Sequence, residues 1–171
     1  MDQRVHTYYS KLTETLEEMT KIYRQLLEVV RQEKDHLLQA NLVEIEKATQ
    51  VKEELINKLR VADMLREKYA QNLGAEINVP NTIPRLLELA QYMPMAEGDH
   101  LRQLHAALEL VIKRIQEINK ENEEYAQSAL KTLNGALGNV KETLSGKKTY
   151  ERKGHYKTGP ETSGHFVSKE V

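Results

Sequence analysis

The sequence predicts an all-α fold: an antiparallel bundle of long helices with coiled-coil character, an extended C-terminal helix and a disordered tail. Three observations carry this reading. Neither Gly nor Pro occurs before Gly74, and none occurs from Asp99 to Asn134, so two long stretches contain no helix breaker. Apolar residues recur at alternating steps of three and four. Finally, 30% of the residues are charged while there is one Phe and no Trp, a composition suited to long helices that share aliphatic seams. With 171 residues the chain has room for one domain and a tail, a helical bundle over 1–145 followed by 146–171.

In the first helix, expected over about residues 2–39, the seam is Val5, Tyr9, Leu12, Leu16, Met19, Tyr23, Leu26, Val30, Glu33 and Leu37. Only Glu33 interrupts it, and a sustained heptad makes helices wind left-handedly on each other. Asn41 reads as the cap of a second helix, with Glu44 placed to complete a capping box. That helix, about 42–73, keeps its seam at Ile45, Ala48, Leu55, Leu59, Ala62, Tyr69 and Leu73, with Lys52 and Arg66 where the pattern turns polar. So short a connection joins antiparallel neighbours, and the absence of Gly or Pro there leaves one continuous helix as the alternative.

Residues 74–98 hold three of the four prolines and form the main break. A short helix is expected at about 83–92, with Thr82 as cap, Pro84 in its first turn and Pro94 beyond its end. A fourth helix follows over about 99–145 and should span ~70 Å, against ~57 Å for the first and ~48 Å for the second. Its first half has apolar residues on more than one face, Leu101, Leu104, Leu108, Leu110, Val111, Ile112 and Ile115, as for a helix with two neighbours. Beyond Asn119 and Asn122 a single stripe remains: Ala126, Leu130, Leu133, Leu137, Val140 and Leu144.

Charge and chemistry narrow the function classes. Net charge is −1, but the last 27 residues carry six Lys/Arg against three Asp/Glu, a flexible basic tail on an acidic body. No basic stripe with interleaved aromatics marks a nucleic-acid surface, and no apolar run is long enough to span a membrane. The absence of cysteine suits a reducing compartment, and with no secretory leader in residues 1–20 the expected location is the cytoplasm. No glycine-rich phosphate loop is present, and the carboxylates sit at helical spacing from Lys and Arg, so neither a nucleotide cofactor nor catalysis is expected. His36, His100 and His105 raise the possibility of a phosphotransfer bundle. Such a site commonly has small neighbours and a lysine one turn along, but His36 is followed by Leu37, Leu38 and Gln39, and His105 has no lysine until Lys113. His100 and His105, five apart, point ~140° apart and cannot share a metal.

Asn119 and Asn122 lie three apart on one face. Such residues fix register when they fall on a seam, or they hydrogen-bond an incoming peptide. With them the chain resembles the FlgN family of flagellar export chaperones. The resemblance rests on the run Leu37 to Ile45 followed by Thr49 to Leu55, on Ile118-Asn119-Lys120-Glu121-Asn122, and on Thr149-Tyr150-Glu151-Arg152-Lys153-Gly154. It departs from the family pattern at Glu151 and Glu123, where the family tends to carry Gly and a small residue. The resemblance implies a helical bundle that binds the C-terminal helices of hook-associated (hook-filament junction) proteins and delivers them to the export gate.

On this reading clients bind Asn119, Asn122, Leu130, Leu133, Leu137, Val140 and Leu144. The lengths suggest why: the last helix outruns its neighbours, and Gly135 and Gly138 weaken the segment until another helix covers it. Tyr150, an aromatic in the tail, would dock on the cytoplasmic domain of the export gate. The rival reading is a structural coiled-coil protein that self-associates through the same stripe.

Overall fold

The structure, a computed structural model, describes residues 2–144 and holds four α-helices: α1 (Gln3–Leu38), α2 (Leu42–Glu76), α3 (Leu86–Tyr92) and α4 (Met95–Leu144). No strand occurs among the described residues. The chain divides into two compact units, Met1–Ala126 and Gln127–Val171. The first contains α1, α2, α3 and the first part of α4, and the described part of the second is the rest of α4.

Capping sets where α1 and α2 begin. Asp2 Oδ1 accepts from the Arg4 N–H at 3.1 Å and starts α1, and Asn41 Oδ1 accepts from the Glu44 N–H at 3.4 Å and starts α2. The second half of the anticipated capping box does not form, because the Glu44 carboxylate turns to Lys47 Nζ at 2.6 Å. Between the helices the chain reverses. Ala40 takes the left-handed conformation at φ 52, and the N–H of Asn41 donates to His36 O at 3.0 Å, closing the last turn of α1 as a glycine-terminated helix would. An alanine can do this at a cost of about 1 kcal/mol, which explains why no Gly or Pro announces the turn. The two helices are therefore folded back and not continuous.

Cross-helix pairs give the directions. Arg4 meets Glu76 at 3.9 Å, Lys11 lies 5.8 Å from the centre of the Tyr69 ring, and Glu33 meets Lys52 at 2.8 Å, so α2 runs antiparallel to α1. Tyr9 reaches His100, Val30 reaches Asn122 and Lys34 reaches Glu121, so this part of α4 runs parallel to α1. The first unit is thus an up-down-up arrangement of three long helices with α3 as a short insert. Its core includes Leu12, Leu16, Val30, Leu73, Leu89 and Leu101, all fully buried. Each such side chain contributes about 1.5–3 kcal/mol of transfer free energy. The heptad seam of α1 is the buried face, with Tyr9, Tyr23 and Leu37 half-buried at its edge. In α4, Leu101, Leu108 and Ile115 are buried as anticipated and Leu104, Val111 and Ile112 are half-buried, but Leu110 faces solvent.

The glycines and prolines at 74–98 act differently from the sequence expectation. Gly74 does not end α2, which continues to Glu76; it is buried where Pro84 packs, and a Cβ there would stand 2.7 Å from Pro84 Cγ. The chain leaves α2 through Asn78, left-handed at φ 56, with the Val79 N–H donating to Gly74 O at 2.9 Å. Thr82 does not cap α3 and Pro84 lies outside it. Instead the Glu88 carboxylate accepts from the Arg85 N–H at 3.4 Å and from Asn81 Nδ2 at 3.3 Å. Gly98 lies inside the first turn of α4, which starts at Met95 directly after Pro94. A Cβ on Gly98 would come within 2.5 Å of the Ala90 carbonyl oxygen, so its role is to let α3 and α4 approach closely.

Candidate functional site

The apolar stripe of the second unit is open to solvent along its described length. Leu130, Leu133, Leu137 and Val140 are 54–58% exposed and Leu144 is 82% exposed. Their spacing is three, four, three and four, which places them on one line of the helix, and from the first to the last they extend ~21 Å. The backbone is helical throughout. Thr132 and Thr143 turn their hydroxyls back onto Ser128 O and Asn139 O at 3.0 and 2.8 Å, so both are satisfied within the helix and add no polar group to the stripe. A Cβ built on Gly135 or Gly138 meets nothing within 4 Å, so no close approach requires either glycine. What remains is their effect on the helix: each lowers local stability by about 1 kcal/mol relative to alanine. The segment combines an unusually exposed apolar line with reduced intrinsic stiffness.

The two carboxamides part company. Asn119 is exposed, whereas Asn122 is buried, its Nδ2 donating to Val30 O at 3.0 Å and to Glu33 Oε2 at 3.1 Å. Lys52 Nζ donates to both oxygens of Glu33 at 2.8 Å, so three polar seam residues, one from each long helix, form a single layer. The carboxylate is almost enclosed, and the lysine and amide offset its desolvation cost. Asn122 Oδ1 remains buried without a partner, which adds a cost that an apolar layer would not carry. Each of the three interrupted its own heptad in the sequence, but matching interruptions across helices needs the register, which one chain's pattern does not supply.

The histidines are dispersed. Tyr9 Oη lies 3.0 Å from His100 Nδ1, and burial, followed by the charge of Glu97, raises the Tyr9 pKa above its ordinary value. His105 stands 3.8 Å from Glu109, and His36 Nδ1 is buried without a partner. Among the described residues no group of three or more His, Asp or Glu side chains is disposed to hold a metal ion, and no helix is long and apolar enough to cross a membrane. Tyr150 and the basic tail lie outside the described residues.

No curated protein matches the chain, and no solved structure does. One family does: the sequence model described as FlgN protein aligns with residues 1–158, taking in the three-helix unit, the exposed stripe and the segment around Tyr150. A match over that much of the chain places it in the FlgN family, the flagellar export chaperones.

Proposed function

We propose that this chain acts stoichiometrically in the cytoplasm, receiving the C-terminal amphipathic helices of hook-associated proteins on Leu130, Leu133, Leu137, Val140 and Leu144. The observation that carries the proposal is the exposure of all five side chains on one helical line. An amphipathic client helix laid along that line would bury each leucine for about 1.5–3 kcal/mol, less the cost of ordering both segments. Asn119, exposed in α4, would hydrogen-bond polar groups of the client, while Asn122 Nδ2 is occupied within the bundle. Loaded chaperone then passes its client to the export gate, with Tyr150 as the docking residue.

Titration calorimetry with a peptide from the C-terminus of a hook-associated protein tests the first step. Leu137→Asp should abolish binding without lowering the melting temperature. Unchanged affinity, or a large loss of stability, removes the stripe as client site. Light scattering of the free chain is the accompanying control, since a stable dimer that Leu137→Asp dissociates would support self-association instead. For the second step, Tyr150→Ala should preserve client affinity and weaken binding to the gate's cytoplasmic domain, and equal binding by the variant rejects the role.

A further inference from the structure

A second surface, wholly within the first unit, has the form of a missing helix. The insert α3 packs beside Gly74 of α2 and Gly98 of α4, but it is only seven residues long, and past its first residue, Leu86, a groove continues between α2 and α4 with α1 as its floor. The groove has a volume of about 740 Å³. On its α4 side it is lined at 105, 108, 109, 112, 113 and 116, the complete set of positions that one helical face offers to another helix. Those positions extend for ~17 Å, or about three turns. The apolar lining comes from three helices, with Met19 of α1, Leu86 of α3 and Leu108 of α4 buried and Ile112 of α4 half-buried.

The rim defines the occupant's charge. Asp63 is paired with Arg66 at 2.7 Å, and Glu109 stands opposite His105. The exposed cations Arg85 and Lys113 lie at the rim and form no ion pair among the described residues. His105 counters Glu109 only when protonated, so the groove holds three permanent cations, Arg66, Arg85 and Lys113, against two carboxylates. The surplus is one positive charge, and Arg85 and Lys113 are the two without an ion pair. The chain's own residues after Leu144 are a poor match, since that segment carries six Lys/Arg against three Asp/Glu.

We propose that this groove is a second protein-docking site, separate from the stripe on the last part of α4, and that it takes a short amphipathic helix of another protein, two to three turns long, with carboxylates flanking its apolar ridge. The helix would sit in line with α3, its ridge on Leu108 and Ile112 and its acidic flank between Arg85 and Lys113. The groove shares no residue with the stripe.

The test uses the full chain and a twelve-residue peptide, stapled to be helical, with leucines at helical spacing and glutamates on the flanks; a matched peptide has lysine for every glutamate. Amide NMR shifts should change at Tyr23, His105 and Ile112, and the glutamate peptide should bind at least about fivefold more tightly than its lysine counterpart, as two partly exposed ion pairs allow. Arg85→Glu combined with Lys113→Glu should reverse that preference with no change in melting temperature, both side chains being exposed. Leu137→Asp should leave it intact, which separates this site from the client stripe. The proposal is overturned by absence of binding, by shifts confined to Leu130–Leu144, by equal affinity for the two peptides, or by concentration-dependent shifts in the free protein that show a second copy in the groove.

Discussion

The two parts of α4 share one apolar period and meet different fates. From Met95 to Ala126 the helix buries Leu101, Leu108, Ile115 and Ile118; from Gln127 to Leu144 every described residue is exposed. The difference is not one of hydrophobicity, since leucines at three-four spacing occur in both. The first part has apolar residues on more than one face, an ion pair to a neighbouring helix and a glycine at a close contact. The second has a single line, glycines that touch nothing, and hydroxyls turned back on their own backbone. A many-sided distribution is the sequence form of a core, whereas a one-sided stripe on a helix with weakened intrinsic stability is left exposed here and is the surface proposed above to receive a partner.

The sharpest way to break the comparison is to make the same substitution in both parts. Leu101→Ala removes a fully buried side chain and should cost about 2–5 kcal/mol in a urea unfolding titration. Leu137→Ala should change stability by no more than about 0.5 kcal/mol. Equal losses at the two sites would show that both parts are core, and the client stripe would have to be sought elsewhere.

Next in size is the polar layer at the end of the first part. Lys52→Met leaves the Glu33 carboxylate nearly enclosed with only the Asn122 amide to oppose it, and should cost about 2 kcal/mol, less than for a fully buried pair because Lys52 retains some solvent contact. Replacing all three, Glu33→Leu with Lys52→Met and Asn122→Leu, should restore or raise stability, since an apolar layer has no orphan like Asn122 Oδ1. If the layer fixes register, the triple variant should broaden its amide NMR spectrum while keeping its melting temperature.

How much of this was legible in the sequence follows from which interactions are local. The seam of α1, the cap at Asn41 and the change of character along α4 are periodic or adjacent features, and the sequence displays them directly. The start of α4 was misplaced because Gly98 looks like a breaker, when it is needed for contact with Ala90, a residue of another element. Thr82 and Pro84 suggested a cap that Glu88 supplies instead. The hairpin turn was ambiguous because Ala40 adopts a conformation usually left to glycine. Glu33, Lys52 and Asn122 were each visible as interruptions, but their meeting depends on helix pairing.

Two glycine substitutions refine the contrast at smaller scale. Gly98→Ala forces a methyl group against a backbone oxygen, which cannot move as a side-chain tip can, and should destabilise the first unit by about 1–3 kcal/mol. Gly138→Ala enters open space and should raise local helix stability by about 1 kcal/mol, read as slower amide exchange between Gln127 and Leu144. If the stripe binds clients by ordering on contact, the same change should also slow client release, because less ordering cost remains to be met.

The smallest effect concerns acid. The hydrogen bond and the charge of Lys34 lower the pKa of Glu121 below its ordinary value of 4.5, and Glu44 is lowered likewise by Lys47 within α2. A carboxylate with a depressed folded pKa adds stability that is present above its unfolded pKa and is lost as pH falls through the folded one. Both pairs are exposed, so the effect is modest and should shrink further in salt. The two differ in what they hold: Glu121 joins α4 to α1, whereas Glu44 stays within its own helix. Lys34→Met should therefore lower the melting temperature slightly at neutral pH, and its curve should converge with that of the wild type as pH drops past 4.5. Lys47→Met should do the same, but only Lys34→Met should speed amide exchange near Asn119 and Asn122. Neither should alter exchange between Leu130 and Leu144, and if acid loosens that stretch as much as the first part of α4, the two parts are not independent.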